Sequence, residues 1–582
     1  MASKHQLGFK PDNRSGKNRR YMRVKFVPKS RETKMEGIDH KTISVNGINM
    51  HVAEMGEGPI VLLIHGFPQL WYAWRHQIVY LAANGYRAIA PDLRGYGDTT
   101  GVPVDDPSKF TSLHVVGDLV ALIDTLGVDK VFVVGHDWGA MIAWDLCLFR
   151  PDKVKALVNL SIQFTPRDPR GTAVDSFRAA YGDDHYVCKF QEPGEIEAVF
   201  ESFGTEKVLK KFLTHHDISP FYFPKGKPFG DAHDTPVIMP SWLSEEDIDY
   251  YTKKFDQTGF TGALNYYRCF RRVNGINMHV AEMGEGPIVL LIHGFPQLWY
   301  AWRHQIVYLA ANGYRAIAPD LRGYGDTTGV PVDDLSKFTS LHVVGDLVAL
   351  IDTLGAADKV FVVGHDWGAM IAWDLCLFRP DKVKALVNLS IQFTPRDPRG
   401  TALDTFRAVY GDDHYVSKFQ EPGEIEAVFE SFGTEKVLKK FLTHHDISPF
   451  YFPKGKPFGD ENDTPVIMPC WLSEEDIDYY TKKFDQTGFT GALNYYRCFG
   501  RNWELEAPWT GAKISVPTKF IVGDLDLVYN MPGVKEYIHN GGFNYFVPLL
   551  EDVVVIEGAA HFIIEEVPDK INTHIHEFLK KF

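Results

Sequence analysis

Val362-Val363-Gly364-His365-Asp366-Trp367-Gly368 decides the fold, and the same seven residues stand at Val133–Gly139. A short apolar run enters a small-x-acid-x-small pattern, and an apolar stretch of helical character (Met370-Ile371-Ala372-Trp373) leaves it. Small residues on either side of the central one permit a tight strand-to-helix turn that lifts its side chain to the C-terminal edge of a sheet. Aspartate is also a favoured helix cap. The motif alone therefore leaves two readings of Asp366 open, a cap and a nucleophile.

Outward from Val133–Gly139, Pro59–Ile64, Tyr86–Pro91, Val131–Val134 and Lys155–Ser161 are short apolar runs with helical stretches between them. Strands alternating with helices predict an α/β fold with a mostly parallel sheet covered on both faces. Upstream, alternation about Asn46-Gly47 predicts a β-hairpin. From about Gln163 to Phe270 the pattern turns helical, aromatic and Pro-rich, as an inserted cap would be.

Val45–Phe270 then returns as Val273–Phe499 with nine replacements and one insertion (Val128 becomes Ala356-Ala357) over 226 aligned positions. A repeat this long is a whole domain, because solenoid and propeller modules are only ~20–50 residues. Only the second copy continues, through the expected strands Pro517–Val522 and Val553–Glu557 and the amphipathic helix Asp569–Phe582. The expected domains are a basic, disordered extension (1–35), a truncated first copy (36–270; core 36–162, cap 163–270) and a near-complete second copy (271–582). The second copy's core is 271–391 with 500–582, around a cap at 392–499. Residues 500–582 could complete either copy. Their direct tether to the second cap favours the second, since effective concentration falls with tether length.

The composition, 45% hydrophobic and 23% charged, is that of a soluble protein. No apolar run approaches the ~18 residues of a membrane span, and no signal peptide opens the chain. Six cysteines without framework spacing suggest a reducing compartment, and the expected location is cytoplasmic. The net charge of −14 combines +9 in residues 1–35 with −23 in the remainder, which argues against nucleic acid as the main partner.

Three further features favour the nucleophilic reading of Asp366. His293-Gly294-Phe295-Pro296 ends the strand Pro287–Ile292, where an oxyanion-hole loop belongs. Asp526 follows the strand Lys519–Val522, and His561 follows Val553–Glu557. The order nucleophile, acid, histidine is that of the α/β-hydrolases, and each residue falls just beyond a strand. A carboxylate is ionised at neutral pH, so it can attack an sp³ carbon without a base. The resulting ester must then be hydrolysed by water that His561 activates, with Asp526 orienting and stabilising the imidazole. The backbone N–H groups of Phe295 and Trp367 are the expected oxyanion donors. Such chemistry calls for no cofactor and no metal.

These stretches resemble plant soluble epoxide hydrolases: His293–Tyr300 (His-Gly-Phe-Pro-Gln-Leu-Trp-Tyr), Pro319–Gly329, Gly364–Ala369, Asn494-Tyr495-Tyr496-Arg497 and Gly558–Phe562. The resemblance implies a cap over the sheet and two cap tyrosines holding an epoxide oxygen, which by motif are Tyr415 and Tyr496. It implies an epoxide and water as the reacting partners, and fatty-acid or aryl and alkyl epoxides as the substrate class. The first copy carries the equivalents Asp137, Trp138, Phe67, Tyr186 and Tyr267 but stops before an acid or histidine. The second copy, for its part, has no counterpart of His40–Ser44. Two other readings stay open at this point. One is a haloalkane dehalogenase, which shares the Asp nucleophile and the Trp after it; the other is an inactive ligand-binding fusion.

Overall fold

The computed structural model describes residues 37–166, 173–215, 219–229, 237–268, 276–356, 359–456, 458 and 466–582. The basic stretch 1–35 and the junction Cys269–Arg272 lie outside the described residues.

Two sheets form. β1 (Asp39–Val45), β2 (Ile48–Met55), β3 (Ile60–Ile64), β4 (Arg87–Pro91), β5 (Val131–His136) and β6 (Val154–Leu160) make the first, in the order β1-β2-β4-β3-β5-β6. The second holds β7 (Val280–Met283), β8 (Ile288–Ile292), β9 (Arg315–Pro319), β10 (Val360–His365), β11 (Val383–Leu389), β12 (Thr518–Gly523) and β13 (Leu550–Ile556). Its order is β13-β12-β11-β10-β8-β9-β7. All pairs are parallel except β1–β2, β2–β4 and β7–β9. The expected α/β-hydrolase architecture is therefore present in both copies, with a mostly parallel sheet. The central strands are apolar at almost every position because helices cover both faces; Val289, Leu290, Leu291 and Ile292 are all buried.

The predicted hairpin is β1–β2, with Val45 paired to Ile48 across Asn46-Gly47. Both turn residues have positive φ (45° and 81°), the geometry for which an Asn-Gly pair is suited.

The two sheets differ at their ends. β12 pairs with β11, and the helix Pro568–Leu579 lays Ile571, Ile575 and Phe578 over that face. β6 has the same sequence as β11, Val-Lys-Ala-Leu-Val-Asn-Leu, but ends its sheet. Val158 and Leu160 are consequently 54% and 42% exposed, where Val387 and Leu389 are fully buried. At the other end β7 has four residues where β2 has eight, and it is the outer strand.

The stretch Glu506–Thr510 lies between the copies. Trp509 sits 5.4 Å from Phe149 of the first and 4.2 Å from Phe378 of the second, centroid to centroid. Arg150 Nη1 donates to the carbonyls of Pro508 (2.7 Å) and Thr510 (2.9 Å). Ala507 packs on the helix Ser112–Thr125 at Gly117, where an added Cβ would come within 2.6 Å of the Ala507 Cβ.

Candidate active site

β10 ends at His365, and the helix Trp367–Phe378 starts two residues later. Asp366 between them has φ 53° and ψ −124°, a backbone that non-glycine residues rarely adopt. Packing imposes this bend. A Cβ on Gly368 would fall 2.0 Å from the Ile292 carbonyl, and one on Gly294 would fall 2.3 Å from Asp366 Oδ1. Only glycines allow the turn to press against the end of β8. Asp366 does not cap the helix through its side chain. Its Oδ1 accepts the Phe295 N–H at 2.6 Å, and its Oδ2 faces His561 Nε2 at 3.3 Å.

His561 and Asp526 follow β13 and β12, so adjacency of these parallel strands brings both residues to one edge. His561 Nδ1 is 3.0 Å from Asp526 Oδ2, while Asp526 Oδ1 accepts the Val528 N–H at 2.7 Å. All three side chains are buried.

The histidine thus lies between two carboxylates. Burial opposes its charge, but Asp526 and Asp366 outweigh burial and push His561 up to about 10. Burial would likewise raise the carboxyl of Asp366; the His561 hydrogen bond and charge, with the Phe295 N–H, hold it below the usual range. Asp137 supplies the comparison. It has the same backbone (φ 54°, ψ −125°) and accepts the Phe67 N–H at 2.7 Å, but among the described residues no histidine hydrogen-bonds to it. There burial wins over the Trp138 and Phe67 N–H groups, and its carboxyl is raised.

The cap covers this edge. Asn494 Nδ2 donates to the Val332 carbonyl (2.8 Å) and Tyr495 Oη to the Arg322 carbonyl (3.0 Å), clamping the helix Thr490–Arg497 to the core. Tyr496 then stands over Trp367, ring centroids 5.0 Å apart. Tyr415 begins the short helix Tyr415–Lys418, its ring 6.0 Å from that of Tyr496. Gln420 Nε2 ties the two segments, donating to the carbonyls of Val416 (2.8 Å) and Tyr496 (3.2 Å). Burial first, then the Asp366 charge, raises both tyrosine hydroxyls, so both stay protonated as donors.

A pocket of about 420 Å³ joins these groups. Asp366, His561, Tyr415 and Tyr496 line it, and apolar side chains such as Phe441 and Phe450 complete the wall. The expected residues Asp366, Asp526, His561, Tyr415, Tyr496, Phe295 and Trp367 are thus brought together. In the first copy Asp137, Phe67, Trp138, Tyr186 and Tyr267 form an equivalent half. Tyr186 and Tyr267 are again 6.0 Å apart, and Trp138 lies 5.0 Å from Tyr267.

Sequence reasoning missed the support behind His561. His365 Nε2 lies 2.7 Å from the His561 carbonyl, and its Nδ1 lies 3.0 Å from Gln297 Oε1. Gln297 Nε2 in turn donates to Glu565 Oε2 at 2.6 Å, and Glu565 pairs with Arg303. Burial and the His561 charge lower His365 to about 4. His365 and Gln297 stood inside the quoted motifs, and their polarity amid apolar strand ends was the signal that could have found them.

An α/β hydrolase fold family matches residues 59–184 and 287–422. Epoxide hydrolase 1 of Siraitia grosvenorii is 62% identical over 309 residues, spanning 53% of this chain and 96% of its own. The chain belongs to the epoxide hydrolase family. Epoxide hydrolase A of Mycobacterium tuberculosis is 36% identical over 321 residues, 53% of this chain and 95% of its own. Among solved structures, potato (Solanum tuberosum) epoxide hydrolase I is 64% identical with a TM-score of 0.52, covering 54% of this chain and 98% of that one. These relatives match about half of the chain, as a duplicated hydrolase requires. Among the described residues no helix is long and apolar enough to cross a membrane.

Proposed function

We propose that the second copy of this epoxide hydrolase family member converts apolar epoxides to vicinal diols through a covalent ester on Asp366. The alignment of Asp366, His561 and Asp526 beneath Tyr415 and Tyr496 carries this reading. The ionised Asp366 carboxylate attacks an epoxide carbon. The C–O bond breaks, and its oxygen takes a proton from a tyrosine hydroxyl. Two donors facing one pocket suit a strained ether that opens to an alkoxide, because proton delivery lowers the energy of the leaving oxygen.

The charge balance then changes. Before attack, two carboxylates hold His561 protonated. Esterification removes the Asp366 charge, leaving Asp526 alone to support the imidazolium. His561 can now give up its proton, restoring the tyrosine, and its freed Nε2 can deprotonate water. Water adds to the ester carbonyl, the Phe295 and Trp367 N–H groups stabilise the oxyanion, and collapse releases the diol with Asp366 regenerated. Single-turnover mass spectrometry tests the proposal: an adduct equal to the whole epoxide should form on Asp366 and then decay as diol appears. Diol formation in heavy-oxygen water, with no label entering Asp366 on repeated turnover, would overturn the ester route.

A further inference from the structure

The exposed edge of the first copy has a counterpart in the second that is covered. Val131–Ser161 and Val360–Ser390 are identical letter for letter, and they build the strand, elbow, helix and edge strand of each copy. On the second copy, β12, β13 and the helix Pro568–Leu579 are seated there. The first copy presents the same surface already shaped. Asp137 repeats the backbone of Asp366, and Ser161 (φ 73°) repeats Ser390 (φ 70°), which donates its backbone N–H to the Ile521 carbonyl at 3.0 Å. His136 keeps the Gln69 contact at 3.1 Å, just as His365 keeps Gln297 while meeting the His561 carbonyl. Each chain has two such faces and one C-terminal block, and its own block sits on β11. A second complete site therefore needs a block from another molecule.

Building on the function proposed above, we propose a second, latent catalytic site at Asp137, completed in trans by the C-terminal block (residues 514–582) of a second copy of this chain. The partner's β12 pairs with β6, and the partner's Ile521, Ile575 and Phe578 cover Val158 and Leu160. The partner's His561 and Asp526 then stand against Asp137. The chemistry is that of the second copy: Asp137 attacks the epoxide carbon, and Tyr186 or Tyr267 protonates the departing oxygen. The partner's His561 takes a proton from water, whose oxygen adds to the ester and frees the diol. The packing broken where the block leaves re-forms where it arrives, so concentration governs this exchange, as in domain swapping. Without a partner block, Asp137 can be esterified once but has no base to complete the cycle.

The test mixes two full-length variants that are each inactive alone. Asp366→Asn/His561→Gln keeps Asp137 but has no working histidine. Asp137→Asn/Asp366→Asn keeps the block but has no nucleophile. Turnover in the mixture should exceed the sum of the separate samples by more than about tenfold, rise with protein concentration and co-elute with a dimer in light scattering. Adding Val158→Lys to the first variant should abolish both, because docking would bury a lysine. The same change in the otherwise natural chain should leave turnover intact. No gain on mixing at any concentration overturns the proposal. So does activity of Asp366→Asn alone that is unchanged by dilution and lost with Asp137→Asn, since that would assign the site to the chain's own block. If the natural chain fails to turn over epoxides, the hydrolase reading falls, while the Val158-dependent dimer still reads the docking.

Discussion

His561 Nε2 stands 3.3 Å from Asp366 Oδ2, with the other ring nitrogen on Asp526, so one imidazolium is shared by two buried carboxylates. Each group holds the charge of the others. The nucleophile and the base are therefore electrostatically one unit, and consuming one alters the other.

Asp366→Asn is expected to reduce steady-state turnover of a styrene oxide below about a tenth of the natural rate, because a neutral amide cannot form the ester. Activity above that level, in protein checked by mass for reversion of the amide, would remove Asp366 from its assigned role.

The tyrosines are tested by Tyr415→Phe and Tyr496→Phe. Each should slow the alkylation step, and the double variant should be far slower, within the ~10²–10⁴-fold typical of general-acid assistance. Rapid-quench single turnovers report this step. Unchanged alkylation in the double variant would reduce both rings to packing groups.

The pH dependence follows from the shifts in the two copies. The Asp366 carboxyl is lowered with His561 opposite, whereas that of Asp137 is raised without a histidine. In His561→Gln, Asp366 should come to resemble Asp137. Its alkylation rate should then begin to fall at a higher pH as acid is added than in the natural chain. A pH profile of single-turnover alkylation reads the displacement, and coincident profiles would contradict it.

Stability should carry the same signature. His561 is raised, so its contribution is present below its unfolded value near ~6.5 and is lost as pH rises through about 10. Asp366 and Asp526 are lowered. Their contributions are present above their unfolded value and lost as pH falls through their folded values. Denaturant midpoints of the natural chain minus those of His561→Gln should narrow toward alkaline pH, and a gap that widened there would contradict the assignment.

Much of this was legible in the sequence because it is local. Gly364-x-Asp366-x-Gly368 announces its turn, Asn46-Gly47 its hairpin, and the strand order carries Asp526 and His561 to one edge. Other features depend on which surfaces meet. Nothing in Glu506–Thr510 says that Trp509 will lie between Phe149 and Phe378, because both rings occur in identical contexts. The network of His365, Gln297, Glu565 and Arg303 joins residues up to 268 positions apart, a separation that no periodicity reveals. Asp137 and Asp366, identical in local sequence, shift in opposite directions, and the largest lowering cause at Asp366 is a histidine 195 residues downstream of it.

The most direct test of the ester on Asp366 is peptide mass spectrometry of His561→Gln after exposure to excess epoxide. Cleavage at arginine alone separates the copies, because the fragment bearing Asp137 also carries Pro107 and the one bearing Asp366 carries Leu335. A stable adduct of one whole epoxide on the Leu335-containing fragment, persisting after the epoxide is removed whereas that of the natural chain decays, is the predicted result. Multiple turnovers by His561→Gln with that fragment unmodified would contradict the account.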